Sequence, residues 1–304
     1  RSISGGGALM YAASIIFSHI DRAALDRVVG VLPITLGIAL ACALAAWVGV
    51  PLIDLFAFKA QTFGRLAALG FPTPTAMGIA ISLPLAFGAA YARSRRMAAM
   101  IAAGAIVAII LTESRGPLLA VIGGAAIAAI ASRQVSLRWF AIGVPVGAIA
   151  IVALVVNRYG RRLADLLQGD LSNLKGDAMR VTSWFAGIET AVASPIVGGG
   201  AFSVAFWHNG ELAADGVNLS HNIVLQPLAD GGFPLGIAVA TVIASSAVGA
   251  WRRRRNLPPE WIAAVATVLI CGLWDMPQLR AYGALFGGLA LALGARRTTA
   301  PAHG

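Results

Sequence analysis

In a chain of 304 residues, only 12% of them charged, a few polar side chains stand in short motifs marked by glycine or proline. Arg115 lies in Thr-Glu-Ser-Arg-Gly-Pro, between two apolar stretches. A guanidinium is a planar fork of donors that matches phosphate oxygens. Ser114 as a cap and Pro117 in a first helical turn would hold that fork rigid. The plainer reading is an arginine that snorkels to a membrane surface beside Glu113. Arg180 opens an expected amphipathic helix over 180–193, where a cation opposes the helix dipole, and an anionic neighbour would resolve the conflict. His221 opens the run Ser-His-Asn-Ile-Val-Leu-Gln-Pro-Leu-Ala-Asp-Gly-Gly. Imidazoles exchange protons near neutral pH, so a base is one reading and a capping residue the plainer one. The three glycines at 198–200 either present backbone N–H groups to a phosphate or make a flexible turn. The sequence has no Asp-x-Asp, no His-x-x-x-His and no paired cysteine. No metal site and no cofactor are therefore expected, and any diphosphate would have to be neutralised by arginine.

The elements that carry these residues are membrane spans. Hydrophobic residues make up 58% of the chain and mean hydropathy is +0.80. Soluble domains are about 25% charged, so an ordinary cytosolic globule is excluded, and disorder is excluded by the hydrophobicity. Cys42 and Cys271 both lie in apolar runs, which rules out a disulfide framework and a Cys-based zinc site. Runs of roughly 17 to 25 apolar residues cross a bilayer core. Such runs occur at 3–20, 28–51, 73–91, 97–112, 116–131, 137–156, 223–250, 262–279 and 282–294. The expected fold is an all-α polytopic membrane protein with about nine transmembrane helices and one large periplasmic loop. Short amphipathic helices are expected within that loop, at 161–168 and 180–193. Trp184, Ile188 and Val192 form a stripe in the second, suited to the membrane interface. The domains are 1–156, N-terminal transmembrane helices; 157–220, periplasmic loop; and 221–304, C-terminal transmembrane helices. Position 1 is Arg, so the chain is expected to lack the first few helices of its full protein.

Charge sets the orientation. Arg22 and Arg27, then Arg93, Arg95 and Arg96, then Arg133 and Arg138, then Arg252 to Arg255, and Arg296 and Arg297 fall on alternate connections. Basic connections face the cytoplasm. With Asp21, Asp26 and Glu260 on that side, the cytoplasmic surplus equals the whole net charge of +10. The excess reports orientation, and no nucleic-acid partner is needed to explain it. Glu113, Arg115, Arg280 and the large loop fall on the other side. No charge sits near the middle of a span, and no inverted repeat is visible. Both count against a membrane transporter, although Pro33, Pro84 and Pro145 could break helices.

Three segments together resemble the O-antigen ligase/O-antigen polymerase family of bacterial inner membranes. They are Leu-Thr-Glu-Ser-Arg-Gly-Pro ending at Pro117; Asp177-Ala-Met-Arg180, with Trp184 and then Ser-Pro-Ile-Val-Gly-Gly-Gly ending at Gly200; and the His221–Asn222 motif with its later Asp230. The resemblance covers about residues 70–290. Family members usually have more spans, and Asp230 stands where Glu is common.

The resemblance implies a glycosyltransferase that moves a glycan from a polyprenyl-diphosphate (undecaprenyl diphosphate) carrier to an acceptor hydroxyl in lipopolysaccharide biosynthesis. The acceptor is the lipid A core for a ligase, another repeat unit for a polymerase, or a protein for an O-oligosaccharyltransferase. On that reading His221, Arg180 and Arg115 are catalytic. Arg280, Asn222 and Glu113 bind substrate, and no metal takes part. The site faces the periplasm, and the anomeric carbon is inverted, since no carboxylate is placed as a nucleophile.

Overall fold

A computed structural model describes residues 19–47, 61–62, 65–66, 72–132, 172–200 and 220–274, with isolated helical positions at 13, 16, 287–288 and 292. The elements are α1 (Arg22–Trp47), β1 (Gln61–Thr62), β2 (Arg65–Leu66), α2 (Pro72–Arg93), α3 (Arg95–Leu111), α4 (Arg115–Ser132), α5 (Ser172–Ala193), α6 (Leu225–Arg252) and α7 (Pro259–Trp274). The strands form one antiparallel pair with Gln61 opposite Leu66 and Thr62 opposite Arg65. The other described elements are all helices.

Six of the nine expected spans coincide with these helices: α1 to α4, α6 and α7. Four helices are long and apolar enough to cross a membrane: Ala23–Ala45, Thr75–Arg93, Arg115–Ser132 and Leu225–Arg252. α7 contributes a shorter apolar helix, Pro259–Leu273. The expected span 137–156 and the loop helix 161–168 lie outside the described residues. Only isolated positions are described in 3–20 and 282–294. Pro33 and Pro84 sit inside unbroken α1 and α2, so neither makes the discontinuity a transporter would use.

The chain divides into two compact units. One holds residues 2–135, 243–270 and 277–304. In it α2 is central, touching α1, α3 and α4. Every residue from Thr75 to Ala86 is buried, as expected of a helix whose apolar residues surround it. α1 instead buries Leu25, Val29, Leu32, Leu36 and Leu40 and leaves Val28, Val31, Ile34 and Ile38 exposed. An outward aliphatic face of this kind suits lipid, not water. Ser94 alone separates α2 from α3. Its hydroxyl accepts a bond from the Met97 amide and caps α3. α4 and α7 pack closely through Gly124, where a Cβ would collide with the Thr267 side chain and the Ala263 carbonyl. Thr267 Oγ1 donates to the Ala120 carbonyl at 3.3 Å across that contact, the small-residue packing that membrane helices use in place of a hydrophobic drive.

The basic ends of this unit gather together. The start of α1, the end of α2 and the start of α7 line one cavity of about 320 Å³, with Asp26, Arg93 and Glu260 on its walls. Arg254 lies over the Trp251 ring at 4.5 Å and Arg95 over Tyr91 at 5.9 Å. Burial lowers the Arg253 pKa from its ordinary value, and its Nε donates to the Gly249 carbonyl. Aromatic rings under guanidinium groups mark helix ends at headgroup depth. The α3–α4 turn stands one helix length from this end, about 25 Å at 1.5 Å per residue.

Candidate functional site

The second unit holds residues 136–242 and 271–276, with Arg1. Here the sequence motif at 220–232 becomes a small, heavily bonded structure. Asn222 caps α6: its Oδ1 accepts from the Val224 amide at 2.9 Å and the Leu225 amide at 3.0 Å. Its Nδ2 donates to the Leu273 carbonyl at 3.3 Å, and the Ile223 amide donates to the Gly272 carbonyl at 2.9 Å. On the other side of His221, the Ser220 amide and hydroxyl both donate to Gln226 Oε1, at 2.9 and 3.2 Å. Gln226 Nε2 in turn donates to Asp230 Oδ1 at 2.7 Å. Ser220 and Gln226 are buried. His221 stands between the two clamps, half-buried, with φ of 47°. A left-handed backbone costs an ordinary residue about 1–2 kcal/mol, so it persists only where neighbours over-determine it.

α6 is broken just beyond this network. Gly231 and Gly232 leave helical geometry, Gly232 with φ of 70°. In an unbroken helix the Ala229 carbonyl would accept from the Phe233 amide and the Asp230 carbonyl from residue 234, but 234 is proline and has no N–H. The turn after α5 supplies what is missing. The Gly199 amide donates to the Ala229 carbonyl at 2.9 Å and the Gly200 amide to the Asp230 carbonyl at 3.1 Å. The freed Phe233 amide donates to the Pro195 carbonyl at 2.8 Å. α5 is held to the same stretch by contact of Ala186 with Ala229. The 194–200 and 229–233 motifs are thus two halves of one clasp.

This clasp corrects the phosphate reading of the glycines. Gly198 donates to the Ser194 carbonyl, and Gly199 and Gly200 are spent on α6, so none of the three amides is turned to a ligand. A second correction concerns Arg180. α5 begins at Ser172, so Arg180 lies in its third turn and opposes no helix end. The dipole argument for an anion at Arg180 falls, because the polar stretch 172–179 hid the first two turns. On α5 the exposed apolar residues are Phe185, Ile188 and Val192, with Trp184 half-buried beside them. The expected stripe is present but turned toward Phe185.

Glu113 and Arg115 belong to the other unit. Thr112 ends α3, Glu113 reverses the chain with φ of 54°, and α4 starts at Arg115. Both side chains are half-buried, and Ser114 and Pro117 are buried. The tight hairpin read from Thr-Glu-Ser-Arg-Gly-Pro is therefore there, with Glu113 in the conformation usually left to glycine. Arg280 lies outside the described residues. Asp230 was read only as the acidic position of its motif, and its pairing with Gln226 was missed. Their i, i+4 spacing on a helix start is the signal that pairs an amide with a carboxylate. Among the described residues no three His, Cys, Asp or Glu side chains gather in a form that could hold a metal ion.

The described residues are thus those of a helical, multi-pass membrane protein. Residues 98–240 match the family model of the O-antigen ligase (Wzy_C), a family of glycosyltransferase-like ligases acting on lipid-linked glycans. The match spans all three motifs, and the resemblance to the O-antigen ligase family read from them is borne out. It contains Glu113, Arg115, Arg180, His221 and Asn222, together with Gln226 and Asp230. No curated protein matches the chain.

Proposed function

We propose that this protein is a ligase-type glycosyltransferase of the inner membrane. It moves a glycan from a polyprenyl-diphosphate carrier to a hydroxyl of the lipid A core, on the periplasmic face and without a metal. The observation that carries the reading is the left-handed His221, clamped from both sides within a segment of the O-antigen ligase family. Backbone strain held in place by buried bonds is how a protein fixes one side chain for a task.

In the proposed reaction the acceptor oxygen attacks the anomeric carbon from the side opposite the diphosphate. His221 takes the hydroxyl proton through a ring nitrogen. The bond from the anomeric carbon to the phosphate oxygen breaks, and its electron pair leaves with the diphosphate. One displacement inverts the anomeric centre. Arg180 and Arg115, assisted by Arg280, would stabilise the charge that develops on the leaving group. Glu113 would orient Arg115 or a sugar hydroxyl. Asn222 keeps one N–H of its amide for substrate after capping α6.

The decisive variant is His221→Ala, assayed in membranes with lipid-linked donor and lipid A core acceptor. Transfer should be abolished while the protein stays folded; normal transfer by this variant would overturn the base assignment. EDTA should leave wild-type transfer unchanged, and loss on chelation would remove the arginine-for-metal reading.

A further inference from the structure

Resting on that reading, we propose that Asp230 and Gln226 are positioning residues for His221: a relay of side-chain bonds fixes the left-handed turn from which the imidazole projects. The relay has a direction. A carboxylate only accepts, so Asp230 Oδ1 obliges the Gln226 amide to present its Nε2 to it. The Oε1 of the same amide is then aimed at Ser220, whose amide and hydroxyl it accepts. Ser220 is fully buried and precedes His221 directly. Its bonds to Gln226 pin the residue before His221, while the Asn222 and Ile223 bonds to Leu273 and Gly272 pin the two residues after it, so the chain enters and leaves the left-handed turn in fixed directions. Asp230 is itself placed by the clasp, since its carbonyl is taken by the Gly200 amide. The acidic residue at the broken end of α6 therefore acts on the site through Gln226 and needs no contact with the reacting atoms.

A donor–acceptor swap tests this in the full-length chain. Gln226→Glu keeps an acceptor for Ser220 but sets a second carboxylate against Asp230. The double substitution Gln226→Glu with Asp230→Asn restores a donor–acceptor pair with the roles exchanged. A misplaced catalytic group costs up to about a hundredfold in rate. Gln226→Glu should lower kcat by about tenfold or more with acceptor KM unchanged, and the double substitution should recover most of it. Asp230→Asn alone no longer obliges one orientation of the Gln226 amide and should lower kcat, by less than Gln226→Glu does.

The second measurement is independent of activity. With His19→Gln, His208→Gln and His303→Gln, His221 is the sole histidine, and its rate of acylation by diethylpyrocarbonate reports its surroundings. That rate should change in Gln226→Glu and return in the double substitution. Changed acylation in a chain that transfers no glycan even as wild type would sink the ligase reading and leave the relay standing. Unchanged acylation and unchanged kcat in folded Gln226→Glu would overturn the relay. An uncorrected kcat loss in the folded double substitution would overturn it too.

Discussion

Two residues other than glycine take a left-handed backbone among those described, Glu113 at φ 54° and His221 at φ 47°, and both come from motifs whose residue types suit the handling of a diphosphate and a hydroxyl. Neither side chain needs that conformation for its own sake; glycine would adopt it at less cost. Their presence there means the side chain is worth more to the protein than the strain removes. Glu113→Gly should therefore be neutral or stabilising by up to about 1 kcal/mol, once the relief of strain is set against glycine's larger unfolded-state entropy. Transfer should nonetheless fall. At 221 the same logic separates backbone from side chain: His221→Gly should melt higher in detergent than His221→Ala, while both lose transfer. Equal melting temperatures would mean that the left-handed turn is not what distinguishes this position.

At the scale of elements, the break in α6 and the turn after α5 depend on each other, and three glycines allow a controlled test of that dependence. Gly198, Gly200 and Gly232 all have positive φ, of 64°, 87° and 70°. A Cβ on Gly198 would strike the Asp230 carbonyl, and one on Gly232 the Pro195 carbonyl, both at 2.5 Å, whereas at Gly200 none of the described residues lies within 4 Å. Gly200→Ala should then cost only the backbone strain, about 1–2 kcal/mol. Gly198→Ala and Gly232→Ala add overpacking against a carbonyl that must move, about 1–3 kcal/mol more, read from thermal or denaturant unfolding. The spans were legible because hydropathy over a bilayer's length is a local signal, and α2, α4 and α6 follow it closely. The left end of α5 was not, since 172–179 carries no apolar stripe to show the helix. The α6 break was not legible either: Pro234 and two glycines permit it, but the amides that complete it lie some thirty residues away, and no local pattern carries a pairing of that range.

For the whole molecule, the side of the membrane that each turn faces decides where the proposed chemistry takes place. The start of α1, the end of α2 and the start of α7 share one cavity, so these three helix ends lie on one side of their unit, as alternation of basic connections requires. If that end is cytoplasmic, Ser94 faces the cytoplasm. If α3, α4 and the expected span 137–156 each cross the membrane, the odd number of crossings would put the turn at 194–200 on the opposite side from Ser94. Val197 is 71% exposed in that turn and Ser94 is exposed between α2 and α3, so each accepts a cysteine without entering a core. In a background of Cys42→Ala and Cys271→Ala, a membrane-impermeant maleimide applied to intact spheroplasts should label Val197→Cys and not Ser94→Cys. Permeabilising the membrane should expose Ser94→Cys as well. Labelling of Ser94→Cys alone would invert the molecule and move the His221 turn, with its proposed chemistry, to the cytoplasm. Equal behaviour of the two sites would leave an even number of crossings, which removes either α3 or 137–156 as a span and with it the alternation of basic connections.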